Sequence, residues 1–129
     1  MNAKKCIVLD LDNTLWGGIV GEDGFNGIKL SLAGPGAGFV AFQQALLDLH
    51  NKGVILAINS RNNYEDAIRV IRTHPNMILR ENNFAAARIN WNDKASNLKE
   101  LAKEINIGLD SMVFLDDDPV NRALVKAIL

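Results

Sequence analysis

Apolar positions along the chain follow two rhythms. Cys6, Ile7, Val8 and Leu9 form an unbroken apolar run, the pattern of a short strand buried on both faces of a parallel sheet. The run 54–58 repeats that pattern and ends at Asn59 and Ser60, and 111–115 repeats it again before Asp116, Asp117 and Asp118. Between these runs the period lengthens. Phe39, Phe42, Leu46 and Leu49 recur at steps of three and four, which predicts a helix over 39–52 with Gly53 closing it. A second helix is predicted over 64–72, stopped by Pro75. Asp93 has the character of an N-cap for a third helix reaching about Ile105, closed by Asn106, Ile107 and Gly108. Pro119 suits the first turn of a final helix running to the last residue. The short apolar pieces 77–79 and 87–89 read as strands or strand-like connectors. Strand and helix alternate throughout, so the expected fold is α/β, a doubly wound parallel sheet.

One stretch breaks the alternation. Between residues 16 and 38 stand eight glycines, too many for regular helix, so a hairpin or small flap is expected after the first strand. The spacing of these glycines matches neither a dinucleotide-binding fingerprint nor a P-loop.

In open α/β sheets ligands bind outside the carboxyl ends of the strands. Asp10 and Asp12, then Asn59 and Ser60, then Asp116 to Asp118 all fall at such ends, so three polar clusters distant in sequence are expected to meet. Gathered carboxylates repel one another and any phosphate unless a cation joins them, and hard oxygen donors suit Mg²⁺. A carboxylate so placed can attack phosphorus, with Ser60 donating to a phosphoryl oxygen and Lys94 neutralising charge. Taken singly, each residue also has a structural reading. The aspartates and Ser60 can be caps or turn formers, and Lys94 a solvated helix charge. Cys6 reads as core, and His50 and His74 as structural.

Composition narrows the field further. A chain of 129 residues suits one domain, and a net charge of -1 argues against a general nucleic-acid binder. The single cysteine allows no internal disulfide, and the first apolar run is too short for a signal peptide or a membrane span. A cytoplasmic enzyme is the expectation.

Asp10, Asp12 and Thr14 in DLDNT, then Ser60, Lys94, and Asp116 with Asp117 resemble, in this order, the four motifs of the haloacid dehalogenase (HAD) superfamily. The strings LDLDNTLWGGIVGEDG (9–24), RINWNDK (88–94) and IGLDSMVFLDDDP (107–119) are similar to its FkbH-like branch. The resemblance covers essentially the whole chain. It implies a Mg²⁺-dependent phosphatase or phosphotransferase working through an aspartyl-phosphate. Asp10 would be the nucleophile and a metal ligand. Asp12 would be the general acid and base, its backbone carbonyl on the metal. Ser60 with Asn62 would bind the phosphoryl group, and Lys94 would stabilise the phosphoaspartate. Asp116 would complete the metal site directly and Asp117 through water.

The short spans between these motifs leave no room for a cap domain, so the resemblance implies a capless enzyme with an open site. Its expected partners are a phosphorylated small molecule and, beyond that, an acyl carrier protein or an adjacent domain outside the sequence, with no nucleic acid or membrane. Some members of the branch load a glyceryl unit from 1,3-bisphosphoglycerate onto an acyl carrier protein. They carry a cysteine just before the motif-two serine, where this chain has Asn59. That departure weighs against acyl transfer. Asp118 stands where the branch usually has Asn, and the apolar end of the chain is the expected mark of a piece of a longer protein. A catalytically weak docking module is the alternative from another class. A receiver domain fits less well, because Asn59 and Ser60 occupy its phosphorylated position.

Overall fold

A computed structural model describes residues 5–117. Asp118 and the helix expected from Pro119 lie outside the described residues. Four parallel strands form the sheet: β1 (Cys6–Leu9), β2 (Ile55–Arg61), β3 (Phe84–Asn90) and β4 (Met112–Leu115), in the order β3-β2-β1-β4. The helices are α1 (Val20–Asp23), α2 (Ala37–Asn51), α3 (Tyr64–Thr73) and α4 (Lys94–Ile105).

Sheet order and helix placement share one cause. Right-handed crossovers that step outward from β1 to β2 to β3 put α2 and α3 on one face, and the return to β4 puts α4 on the other. Two apolar layers result. Leu9, Leu11 and Ile58 meet Leu46 of α2 and Ile68 and Ile71 of α3. Cys6, Val8 and Ala57 meet Leu98 and Leu101 of α4. The strand order reverses between β1 and β4, which pair side by side. This reversal is the switch point at which open α/β sheets form their binding crevice.

The expected helices form close to their predicted limits. Asp93 caps α4 by accepting from Ser96 N, and Asn106 closes it in the left-handed conformation at φ 60°. Gly53, at φ 106°, ends the turn after α2. Two short pieces come out differently from one another. Residues 87–89 belong to the seven-residue β3, whereas 77–79 form no strand. The Ile78 and Leu79 N–H groups donate to Oε1 of the fully buried Gln43, while its Nε2 donates to Leu15 O. One side chain of α2 therefore stands in for a neighbouring strand and ties the start of the flap to the segment between α3 and β3. Gln43→Leu leaves these groups without partners and should destabilise the fold by about 2–4 kcal/mol. Urea unfolding checks this, and a loss below about 0.5 kcal/mol would contradict the tie.

The glycine-rich segment is a compact flap rather than a hairpin. It contains the single turn α1 and one antiparallel bridge, Gly17 to Lys29. A Cβ on Gly17 would stand 2.8 Å from the Phe39 ring and 2.9 Å from the Lys29 side chain, so the close approach requires glycine. Among the described residues no helix is long and apolar enough to cross a membrane.

Candidate active site

Asp10 leaves β1 at the switch point, and its N–H donates to Leu115 O at the end of β4. Register places Leu9 level with Ile58 on one side and Leu115 on the other, so Asp10, Asn59 and Asp116 follow at one level. The three expected clusters do meet, for the reason the topology supplies.

Lys94 occupies their centre. Its side chain is only 4% exposed, and Nζ lies 3.2 Å from Asp10 Oδ2 and pairs with Asp116 Oδ2. A solvated lysine would reach outward, but this one points inward because it opens α4 beneath two carboxylates. Asn59 Nδ2 donates to the Lys94 carbonyl at 3.0 Å and so anchors that first helical residue.

The Asp10 side chain is 13% exposed, and its Oδ1 accepts from Leu11 N at 2.7 Å. Burial pushes its carboxyl up from 3.8 to about 6, with the nearby Asp116 charge adding to the rise. Lys94, the Leu11 N–H and the Ser60 hydroxyl oppose it. At neutral pH Asp10 is thus ionised, yet more basic than an ordinary aspartate.

Asp12 lies apart from this ion cluster. Its Oδ1 accepts from Trp16 Nε1 and Val20 N, both at 3.0 Å, and Oδ2 accepts from Asn62 Nδ2 at 2.9 Å. The flap thus holds one oxygen and the turn after β2 holds the other. Oδ2, with a single donor here, keeps capacity for a water or a leaving group. Trp16 and Val20 were not expected from sequence. A tryptophan followed directly by two glycines was the available signal, since so large a residue on a loop needs a buried berth.

Ser60 is not a helix cap but lies inside β2, 1% exposed; its Oγ is near enough to Asp10 to steady that carboxylate, yet it has no hydrogen-bond partner within 3.5 Å among the described residues. A buried donor without a partner at a strand end is the mark of a site built for a ligand's oxygen. Asn62 is likewise buried, and Asn90 O at the end of β3 accepts from its N–H.

Carboxylate oxygens of Asp10, Asp116 and Asp117 lie within 4.8 Å of one another. Opposite ligands of an octahedral Mg²⁺ are about 4.2 Å apart, so small side-chain adjustments bring these oxygens onto one hard cation. Cys6 is fully buried and its thiol is raised to about 11 by burial, consistent with core. His50 Nδ1 pairs with Val54 O, and His74 Nδ1 accepts from Asn76 N, so both serve local structure.

Two solved structures are similar to this chain. The N-terminal part of the Bacteroides fragilis protein BF1531, described as containing a phosphatase domain and complexed with Mg, is 43% identical with a TM-score of 0.93. The match covers 97% of this chain and 34% of that one, so the chain spans about a third of its relative's length. A HAD family enzyme of Bacteroides thetaiotaomicron, in complex with magnesium and inorganic phosphate, has a TM-score of 0.63 at 14% identity. That match covers 98% of this chain and 91% of the other, and it is a likeness of fold. No family model matches the chain, and no curated protein does.

Proposed function

We propose that this chain, which belongs to the haloacid dehalogenase superfamily, is a capless Mg²⁺-dependent phosphatase that works through an aspartyl-phosphate on Asp10. The observation that carries the reading is the set of three gathered carboxylates, two of them paired with buried Lys94, near the Ser60 hydroxyl that has no hydrogen-bond partner within 3.5 Å among the described residues. Asp10, Asp116 and Asp117 would hold the ion, with the Asp12 carbonyl as the backbone ligand. When bound, Mg²⁺ supplies positive charge that lets an anionic nucleophile approach an anionic phosphoryl group.

The chain's own residues do the rest. Asp10 Oδ attacks phosphorus, the bond to the leaving oxygen breaks, and Asp12 gives that oxygen a proton. Asp12 then takes a proton from water, whose oxygen attacks phosphorus and breaks the bond to Asp10, releasing inorganic phosphate. Ser60 and Asn62 orient phosphoryl oxygens, and Lys94 spreads the charge that leaves Asp10. The flap, held to Asp12 through Trp16 and Val20, keeps the acid fixed while the mouth stays open.

Hydrolysis of p-nitrophenyl phosphate or acetyl phosphate with Mg²⁺ tests this reading. No turnover across a broad panel of phosphate esters and acyl phosphates would sink it. The two half-reactions should also separate. Acetate leaves without a proton, so Asp12→Asn should still be phosphorylated by acetyl phosphate but release the group about a hundredfold or more slowly. Intact-protein mass spectrometry should show one added phosphoryl group accumulating in that variant and not in wild type.

Glyceryl transfer to an acyl carrier protein finds less support among these residues. Asn59 is a buried amide engaged with the Lys94 carbonyl, and the Cys6 thiol is buried inside β1. Neither offers an acyl-accepting nucleophile at the mouth. The open site nevertheless suits substrates on large carriers, and a carrier or a neighbouring domain of a longer protein would close it against water.

A further inference from the structure

Trp91 is hydrogen-bonded to Asn63, the neighbour of Asn62, and none of the reaction steps uses it. It lies in the turn between β3 and α4, and 59% of it is exposed. An exposed indole is ordinarily free to rotate, but this one is held twice. Its Nε1 donates to Asn63 Oδ1 at 3.0 Å, and the Arg61 guanidinium lies over its ring, 5.9 Å from the centroid. Arg61 is itself exposed and forms no ion pair within 4 Å among the described residues. The carboxyl of Asp93 is held below its ordinary range by hydrogen bonds from Ser96 and, to a lesser degree, by the Arg61 charge. An oriented aromatic face and an unpaired cation therefore stand together.

Their position relative to the chemistry follows from the bonds. Arg61 directly follows Ser60 and pairs with Asn90, the residue before Trp91. Asn62 donates to Asp12, and its neighbour Asn63 accepts from Trp91. Asp12 is the group that must touch the leaving oxygen, so the Trp91 face borders the leaving-group side of the phosphoryl site. The flap borders it from the opposite side. A Cβ on Gly21 of α1 would meet Asn63 Nδ2 at 3.6 Å, so Asn63 forms the floor between them.

We infer that Arg61 and Trp91 form a leaving-group subsite, and that the preferred substrates are phosphate esters whose alcohol portion carries a carboxylate. The carboxylate pairs with the Arg61 fork while the carbon skeleton lies along the indole. One guanidinium balances one carboxylate, whereas a doubly charged second phosphate would leave a negative charge uncompensated beside the turn that also carries Asp93, two residues after Trp91. The inference rests on the phosphatase reading for its orientation, but its test does not depend on turnover.

Non-hydrolysable phosphonates make the test. 3-Phosphonopropanoate and propylphosphonate share a skeleton and differ by the carboxylate. Titrated into the wild-type protein with Mg²⁺ and followed by tryptophan fluorescence, 3-phosphonopropanoate should bind at least tenfold more tightly. Trp16 is fully buried and Trp91 is exposed, so the signal should come from Trp91 and disappear in Trp91→Phe. In Arg61→Gln the preference should fall to within twofold, and in Arg61→Lys to an intermediate value, because lysine keeps the charge but not the fork. Equal affinity for the two ligands in wild type, or a preference that survives Arg61→Gln, overturns the inference. Tighter binding of propane-1,3-bisphosphonate than of 3-phosphonopropanoate overturns the carboxylate assignment. Failure of the phosphatase reading would appear separately, as absent hydrolysis of p-nitrophenyl phosphate.

Discussion

Asp10→Asn should abolish phosphate release, by at least about a thousandfold, and at the same time make the metal-free protein more stable at neutral pH. The first effect follows from loss of the attacking carboxylate. The second follows from the direction of its shift. The folded-state pKa of Asp10 is raised from 3.8 to about 6, so the folded protein holds that proton more tightly than the unfolded chain does. The stabilisation this provides is present in full below about pH 4 and is lost as pH rises through 6. At pH 7 the ionised, buried Asp10 is then a liability of up to about 3 kcal/mol, which a neutral asparagine does not carry. Urea unfolding without metal should show Asp10→Asn ahead of wild type at pH 7 and level with it near pH 4. Saturating Mg²⁺ should narrow or reverse the gap, because the ion binds the folded wild type better than the variant. A variant less stable than wild type at pH 7 without metal, or an equal gain at both pH values, would count against the assigned burial and charge balance.

Lys94→Met tests the same cluster from its positive side. A lysine on a solvated helix face could be replaced at a cost within about 0.5 kcal/mol. Here the change leaves the Asp10 and Asp116 carboxylates, which the lysine joins, without their shared cation at a site 4% exposed. Breaking a buried pair by removing one member costs about 3–5 kcal/mol, so the metal-free variant should be close to unfolding. Added Mg²⁺ should recover part of that loss, since an ion on Asp10, Asp116 and Asp117 replaces the missing charge. Activity should stay low even then, because the ammonium beside the nucleophile is gone. A small loss insensitive to Mg²⁺ would show that Lys94 does not balance these carboxylates.

Much of this was readable along the chain, and the parts that were not have physical reasons. The limits of α4 were legible because Asp93 and Asn106 are local devices whose effect depends on a few neighbouring atoms. The extent of β2 was not, since Asn59 and Ser60 look like turn residues until the strand end is seen to line a polar crevice. The segment 77–79 resembled a strand because its apolar residues are buried, but its N–H partners come from Gln43, more than thirty residues away. Lys94 read alone as solvated, and Asp12 gave no hint that Trp16, Val20 and Asn62 hold it. Arg61 and Trp91 are 30 positions apart in the sequence. Only the β2–β3 register brings them together.

The order of the main strands and helices, the ends of α4 and the acidic residues that stand at strand ends came from hydrophobic period and local capping. Such signals need only short-range interactions, so they survive in a linear reading. Which carboxylates share Lys94, which donors fix Asp12 and which groups border the leaving-group side depended on the parallel register and the reversal between β1 and β4. Those are properties of strand pairing across long stretches of chain. The burial that raises the proton affinity of Asp10 arises only once the strands have paired.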